Sequence, residues 1–458
     1  MARVGSLLVA LALLVCSGVA QAGVISPDAN FIKTRPYEQL STSNSIGALA
    51  PDPNHPEVWK ASGIVPSVGY GLVAWADGRS GTVAIIGRDL TKPSESEFLI
   101  SDETDGWQEG NPFVGAVGSI AGNTAPLDRR VVYDAAHVAV SGGDLGDIQG
   151  YRDLTSSTAW LYQTTVAKDR QRSPVFTNLS TEGPTVLSWI HYPETEPEYA
   201  GYDNTEIYTA SFTTPATNVQ NITPPTLTTP AAPRDSLAAD GRYLVWQEMR
   251  YDGNLDDISW DVAVYDLVTT GLAYIDAPVA GKNQIHPDVS GDLVVWTQEE
   301  DPAVTKATNI FFQDLSSSSG PVAITTTGTA AEAAISEVDG NYFVVWQDYR
   351  LDGSTTIFPG GNGEPDFNWD IWGQEISIDP NTGDWALHDG GPFLIRADAG
   401  RQTNPDIDGL DVVWQSQAPD TEYIYVWGPI PEPCTTLVVA AGAAFLLAMR
   451  RKRGRRER

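Results

Sequence analysis

One short pattern recurs along this chain and limits what it can fold into: a turn, an apolar strand and an aromatic residue. The clearest copies run from Asp240-Gly241 to Trp246, from Ser290-Gly291 to Trp296, from Asp339-Gly340 to Trp346 and from Asp408-Gly409 to Trp414. Gly69 to Trp75 is a fifth copy, and weaker ones end at Tyr133 and Trp189. The anchors Trp75, Tyr133, Trp189, Trp246, Trp296, Trp346 and Trp414 are spaced 58, 56, 57, 50, 50 and 68 residues apart. A unit this short cannot bury its own apolar face, so copies at a steady period stack on one another as a solenoid or a propeller.

Each anchor is followed by a second β-rich stretch, such as Asp261-Val262-Ala263-Val264-Tyr265-Asp266-Leu267, and then by a third, such as Pro321-Val322-Ala323-Ile324-Thr325. A Pro- or Gly-flanked stretch precedes the turn, as in His286-Pro287-Asp288-Val289 and Asn404-Pro405-Asp406-Ile407. β-Branched and aromatic residues between turn signals read as four short strands per repeat. The anchor strand Leu293-Val294-Val295-Trp296 is apolar on both faces, as a sheet sandwiched between two neighbours requires. The expectation is an all-β fold, a seven-bladed β-propeller of four-stranded blades. The alternative is a six-bladed ring with an appended pair of strands. The last repeat lacks a fourth strand before the C-terminal segment, while Tyr37-Glu38-Gln39-Leu40-Ser41-Thr42 reads as a strand without partners. That N-terminal strand is expected to close the last blade.

These repeats, with Pro-Asp-x-x-Gly, then apolar-Val-Trp, then Asp-Ile-x-x-x-Asp-Leu, resemble those of TolB-like β-propellers. The resemblance covers most of residues 23–430 and is best in the fourth to seventh copies. It implies a bacterial envelope or surface protein serving as an interaction platform.

The two ends read as sorting segments. Residues 1–22 carry Arg3, an apolar run from Leu7 to Val15 and the small-x-small site Ala20-Gln21-Ala22, the plan of a secretory signal peptide. Residues 431–458 carry Pro431-Glu432-Pro433-Cys434, an apolar helical stretch over 437–449 and a basic cluster over 450–458. The stretch is shorter than an ordinary spanning helix, and the bases act as a cytoplasmic stop. In that order the tail resembles the PEP-CTERM sorting signal. The resemblance implies recognition by an exosortase-type membrane enzyme, transient anchoring by a short transmembrane helix, and an outer-surface or extracellular destination. Residues 23–430 form the expected propeller domain. They hold 57 acidic and 20 basic side chains, a surface that repels nucleic acid. Both cysteines, Cys16 and Cys434, lie in the end segments, so the body has no disulfide and no thiol nucleophile.

Chemistry-bearing patterns are few. His55, His137, His191, His286 and His388 show no metal-type spacing, and His286 occupies the slot of Asn404 in the aligned repeat, which points to a turn role. No Gly-x-Ser-x-Gly nucleophile elbow is present. Asp252-Gly253-Asn254-Leu255-Asp256-Asp257 places oxygen ligands at alternate positions, a pattern that suits calcium; Asp252, Asn254 and Asp256 are the candidate ligands, and a solvated acidic loop is the competing reading. A long insertion at the same place in the sixth repeat carries Asp352, Asn362, Glu364, Asp366 and Asn368. Both segments join second to third strands, which makes that face the candidate binding surface. Arg79, Arg250 and Arg350 recur two residues after an acid and are expected to fork to a neighbouring blade's carboxylate. Trp260, Trp369 and Trp372 flank the acidic segments and would stack on a sugar if exposed. No catalytic residue stands out. The expected function is a non-enzymatic binding or structural platform for extracellular polysaccharide or a surface protein. The alternative is a carbohydrate-active enzyme, a polysaccharide lyase or glycosidase, on the same ring.

Overall fold

The computed structural model describes residues 37–39 and, between loops that lie outside it, residues 65–428. Residues 1–36 and 429–458, which hold both sorting segments, are outside the described residues. Among the described residues the regular structure is all strand. The fold is an all-β propeller of four-stranded antiparallel blades, with one sheet carrying a fifth strand.

Each anchor belongs to its own sheet, by which the sheets are named here. The innermost strands are Ser67–Gly69 for Trp75, Trp107–Val117 for Tyr133, Arg170–Asn178 for Trp189 and Arg234–Asp240 for Trp246. Those of the Trp296, Trp346 and Trp414 sheets are Asn283–Ser290, Ala330–Val338 and Arg401–Asp408. Each innermost strand touches the next in chain order, and the last returns to the first. The Trp414 sheet is a full sheet. Its inner three strands are Arg401–Asp408, Asp411–Ala418 and Thr421–Trp427, and its outer strand is Tyr37–Gln39, with Tyr37 opposite Trp427. The two ends of the propeller body are thus sewn into one sheet.

The anchors lie between sheets. The six tryptophans are fully buried and Tyr133 is 1% exposed. Each packs against the sheet before its own. Trp296 sits with Val245 and Val262, Trp346 with Val295 and Ile310, and Trp414 with Val345 and Ile371. Trp75 completes the circle against Val413 and Ile424 of the last sheet. In three sheets an aromatic residue directly across the ladder stacks on the anchor: Trp189 on Tyr208, Trp296 on Phe311 and Trp414 on Tyr425, all at 5.9 Å between ring centroids.

Opposite six of these anchors the innermost strand bulges. The register skips two residues against one anchor at Asn111-Pro112, Ser173-Pro174, Ser236-Leu237, His286-Pro287, Glu332-Ala333 and Asn404-Pro405. The first residue of each pair is left-handed, with φ between 45° and 53°. A bulge of this kind turns one amide out of the ladder, and that amide needs another acceptor. The residue after the preceding anchor supplies it. Gln247 Oε1 accepts from the His286 amide at 2.9 Å, Thr297 Oγ1 from Glu332 at 2.9 Å and Gln347 Oε1 from Asn404 at 3.1 Å. Asp134 Oδ2 accepts the longer bond from Ser173 at 3.4 Å. After Trp189 the position is Ile190, and the Ser236 amide turns to its neighbour Asp235 instead. His286 and Asn404 therefore share one backbone role.

Two expectations need correction. The Trp346 sheet has five strands, because both Trp385–Leu387 and Phe393–Arg396 pair with Asp370–Ile378. Gly390 and the left-handed Gly391 (φ 67°) lie between them, and the outer edge pairs in two pieces. Arg250 and Arg350 do not fork to a neighbouring blade. Arg350 bonds Asp348, two residues back, through Nε at 2.7 Å, and Arg250 bonds Asp261 of its own sheet at 3.3 Å. Both acids lie on the arginine's own ladder, within reach of its side chain. Arg79 is outside the described residues.

The bulge bonds give a direct test. Gln347→Ala leaves the Asn404 amide without its acceptor at a partly buried site, and chemical denaturation is expected to show a loss of about 1–3 kcal/mol. A loss under about 0.5 kcal/mol, the range of an ordinary surface change, would show that the bond contributes nothing.

Candidate functional site

The innermost strands enclose a central cavity of about 520 Å³. Asp240, Asp288, Glu337, Asp406 and Asp408 line it, together with Tyr70 and Ser290. No histidine, lysine, arginine or cysteine is among its described lining residues.

Most of these acids first serve the ring. Each accepts a hydrogen bond from the backbone of the next innermost strand or of the turn that follows it. Asp240 Oδ2 accepts from the Gly291 amide at 2.8 Å and Asp288 Oδ2 from the Ile335 amide at 2.8 Å. Asp406 Oδ2 accepts from the Val68 amide at 2.8 Å, and Asp408 Oδ2 accepts from the Tyr70 amide. Serines take the same part elsewhere: Ser67 for Val114, Ser290 for Glu337 and Ser336 for Gly409. An innermost strand cannot use the ordinary ladder on its channel side, so side-chain oxygens satisfy those amides.

The electrostatic consequence is a set of carboxyls held away from their usual range. Burial raises Asp288 to about 7, and the charge on Asp406 adds to the shift. Burial raises Asp406 to about 6. Asp240 and Asp408 are also raised, again chiefly by burial. Tyr70 is pushed up to about 12 by burial and then by Asp408 and Asp240. Removal of water disfavours the charged form, and like charges facing one another across one space add to that. A partnered acid in the body of the ring behaves oppositely. Asp89 pairs with both Arg129 guanidinium nitrogens at 3.1 and 2.8 Å, and its carboxyl lies at about 2 although burial works against this.

The residues picked out from sequence are elsewhere. Asp252, Asn254 and Asp256, and the insertion from Asp352 to Asn368, lie outside the described residues, as do Pro431, Glu432, Pro433 and Cys434. The strand ends flanking residues 252–257 are Tyr251 and Ile258, opposite each other at the far end from the Asp240–Tyr243 turn. The cavity lining includes Asp240 and Gly241 at that turn. The described lining therefore lies at the turn end of the innermost strands. His191 and His286 stand in different sheets and His388 follows the strand Trp385–Leu387, and among the described residues no three metal-ligating side chains converge. Trp372 is covered by the Arg350 guanidinium at 4.3 Å, and Trp369 meets Tyr349 edge to face at 4.9 Å. The cavity acids escaped the sequence reading, although His286-Pro287-Asp288 and Asn404-Pro405-Asp406 carried the signal: both acids follow a bulge by two residues.

No family model matches the chain, and no curated protein matches it. Solved structures that resemble it include oligogalacturonate lyase from Vibrio parahaemolyticus, 10% identical over 87% of this chain and 98% of that one, with a TM-score of 0.47. An acylaminoacyl peptidase from Pyrococcus horikoshii is 12% identical over 80% of this chain and 50% of its own, with a TM-score of 0.48. A protein described as TolB from Agrobacterium tumefaciens is 13% identical over 73% of this chain and 94% of its own, with a TM-score of 0.35. At these values no activity passes from them to this chain.

Asp408 joins the last sheet to the first and permits a clean comparison of acceptor and charge. Asp408→Ala removes the acceptor for the Tyr70 amide, whereas Asp408→Asn keeps one without the charge. At pH 8 the alanine variant is expected to be less stable than the asparagine variant by about 1–3 kcal/mol in denaturant titration. Equal stability would mean that the bond does not hold the ring.

Proposed function

We propose that this chain is an exported, TolB-like β-propeller, one blade per anchor, that works at the cell envelope as a non-enzymatic binding platform. Its signal peptide directs export, and its Pro431-Glu432-Pro433-Cys434 tail hands it to an exosortase-type enzyme. The ligand is an extracellular polysaccharide or a surface protein that tolerates or neutralises a strongly acidic surface. Calcium held at Asp252, Asn254 and Asp256 belongs to the same proposal, as a bridge between that surface and an anionic glycan.

One observation carries the reading. The central cavity presents five carboxyls and no histidine, lysine, arginine or cysteine among its described lining residues. Proton abstraction next to a sugar carboxylate, or attack on a carbonyl, calls for a base beside a group that stabilises developing negative charge. This lining offers no positive side chain for that second task. Four of its acids are also engaged as backbone acceptors. A rigid acidic ring is better suited to holding a cationic or cation-bridged partner through field and shape.

The test is to incubate the purified full-length chain with immobilised neutral, anionic and cationic polysaccharides, with calcium and with chelator. Protein retention and glycan chain length are both measured. Retention without shortening is expected, weakening as added salt screens the exposed charges. Calcium-dependent retention on the anionic glycans would place the bridge at the Asp252 segment, checked by Asp252→Asn/Asp256→Asn. Shortening of any glycan would overturn the platform reading in favour of an enzyme.

A further inference from the structure

We propose that the central cavity is a receptor site for an organic cation, an ammonium or guanidinium group on an apolar stem, with the Tyr70 ring and the carboxylates of Asp240 and Asp408 around the charge. The site deepens the platform reading and rests on it, since it names what the axis of the ring holds.

Tyr70 opens the two-residue turn between Gly69 and Leu72 of the first sheet, at φ 51°. The same place in the Trp246, Trp296 and Trp414 sheets is taken by Gly241, Gly291 and Gly409, at φ between 54° and 59°. A left-handed backbone suits glycine and is an outlier for a bulky aromatic residue. The ring therefore holds its place at a cost to the fold, as side chains at ligand sites do. Tyr70 lines the cavity. Asp408, which accepts from the Tyr70 amide, belongs to the last sheet, and Asp240 belongs to the fourth. After burial, the charges of these two acids act on the Tyr70 hydroxyl, so it lies within the field of both.

The cavity is two-sided. All five of its acids come from the fourth to seventh sheets. The second and third sheets line it with Phe113, Val175 and Phe176 among others, and contribute no charge. A hard metal ion takes oxygen ligands on all sides. A cation on an apolar stem instead needs carboxylates and an aromatic face at one end and carbon at the other. The volume of about 520 Å³ suits a small ligand. The bonds to the neighbouring strands leave capacity, since a carboxylate has about four acceptor positions.

The test is calorimetric titration of the full chain at pH 8 with butylguanidinium and with butylurea, its uncharged isostere. The guanidinium is expected to bind at least about tenfold more tightly and to weaken as salt is added. Tyr70→Gly is expected to lose at least about fivefold in affinity without a lower denaturation midpoint. Asp240→Asn, which keeps an acceptor for the Gly291 amide, is expected to lose a similar factor. Equal binding of the two probes, binding of neither, or full affinity in Tyr70→Gly would overturn the site. The comparison of the two probes on the natural chain stands whether or not either variant folds. A pentapeptide with a central arginine, set against one with glutamine, separates the two sources of such a cation. Tighter binding than butylguanidinium supports a side chain of a partner protein, and weaker binding supports a free small molecule. Glycan shortening and loss of probe discrimination are read in separate assays, so failure of the platform and failure of this site are told apart.

Discussion

Everything in this structure depends on an aromatic ring pressed against the sheet before its own. A sheet with two apolar faces has nowhere to put them except between neighbours, and a large buried aromatic side chain dominates the contact it fills. Because every anchor faces backward in chain order, the contacts form a cycle rather than a stack, and Trp75 has to find the last sheet for the cycle to close. The bulges belong to the same arrangement. Across from six of the anchors the inner strand carries two residues against one, which adds local twist where the sheets converge on the axis. The amide displaced by that twist returns to the residue beside the preceding anchor in four cases.

The anchor spacing was legible because it needs only one aromatic residue and a strand apolar on both faces. The N-terminal closing strand was legible for a related reason: the last repeat ran out of chain, and Tyr37–Gln39 had no earlier partner. The cavity was not legible. Its acids are ordinary carboxylates among the 57 acidic side chains of residues 23–430. What separates Asp288 from other surface acids is its place at the wall of a cavity, which appears only once several innermost strands meet around one axis. The arginines misled for the opposite reason. A recurrent acid-x-arginine pattern looks like a link between repeats, yet a long flexible side chain satisfies itself at the nearest carboxylate, as Arg350 does with Asp348.

The acids around the axis show structure and electrostatics pulling in different directions. As acceptors for the neighbouring strand they hold the ring together, and a carboxylate accepts such bonds well. As like charges gathered around one cavity they disfavour one another's ionised form. Serine does the same backbone work at Ser67, Ser290 and Ser336 without that cost. The presence of aspartate at the remaining places keeps a negative field along the axis, continuous with the acidic exterior.

The last sheet takes its outer strand from the opposite end of the propeller, with Tyr37 opposite Trp427. A chain emerging from a ribosome or a membrane pore makes the first of these residues long before the second. Its earliest strand has to wait, unpaired, while every intervening repeat is made. The finished ring is therefore a product of the whole chain, with pairing of the greatest sequence separation coming last, which slows folding and lengthens the exposure of an unpaired edge.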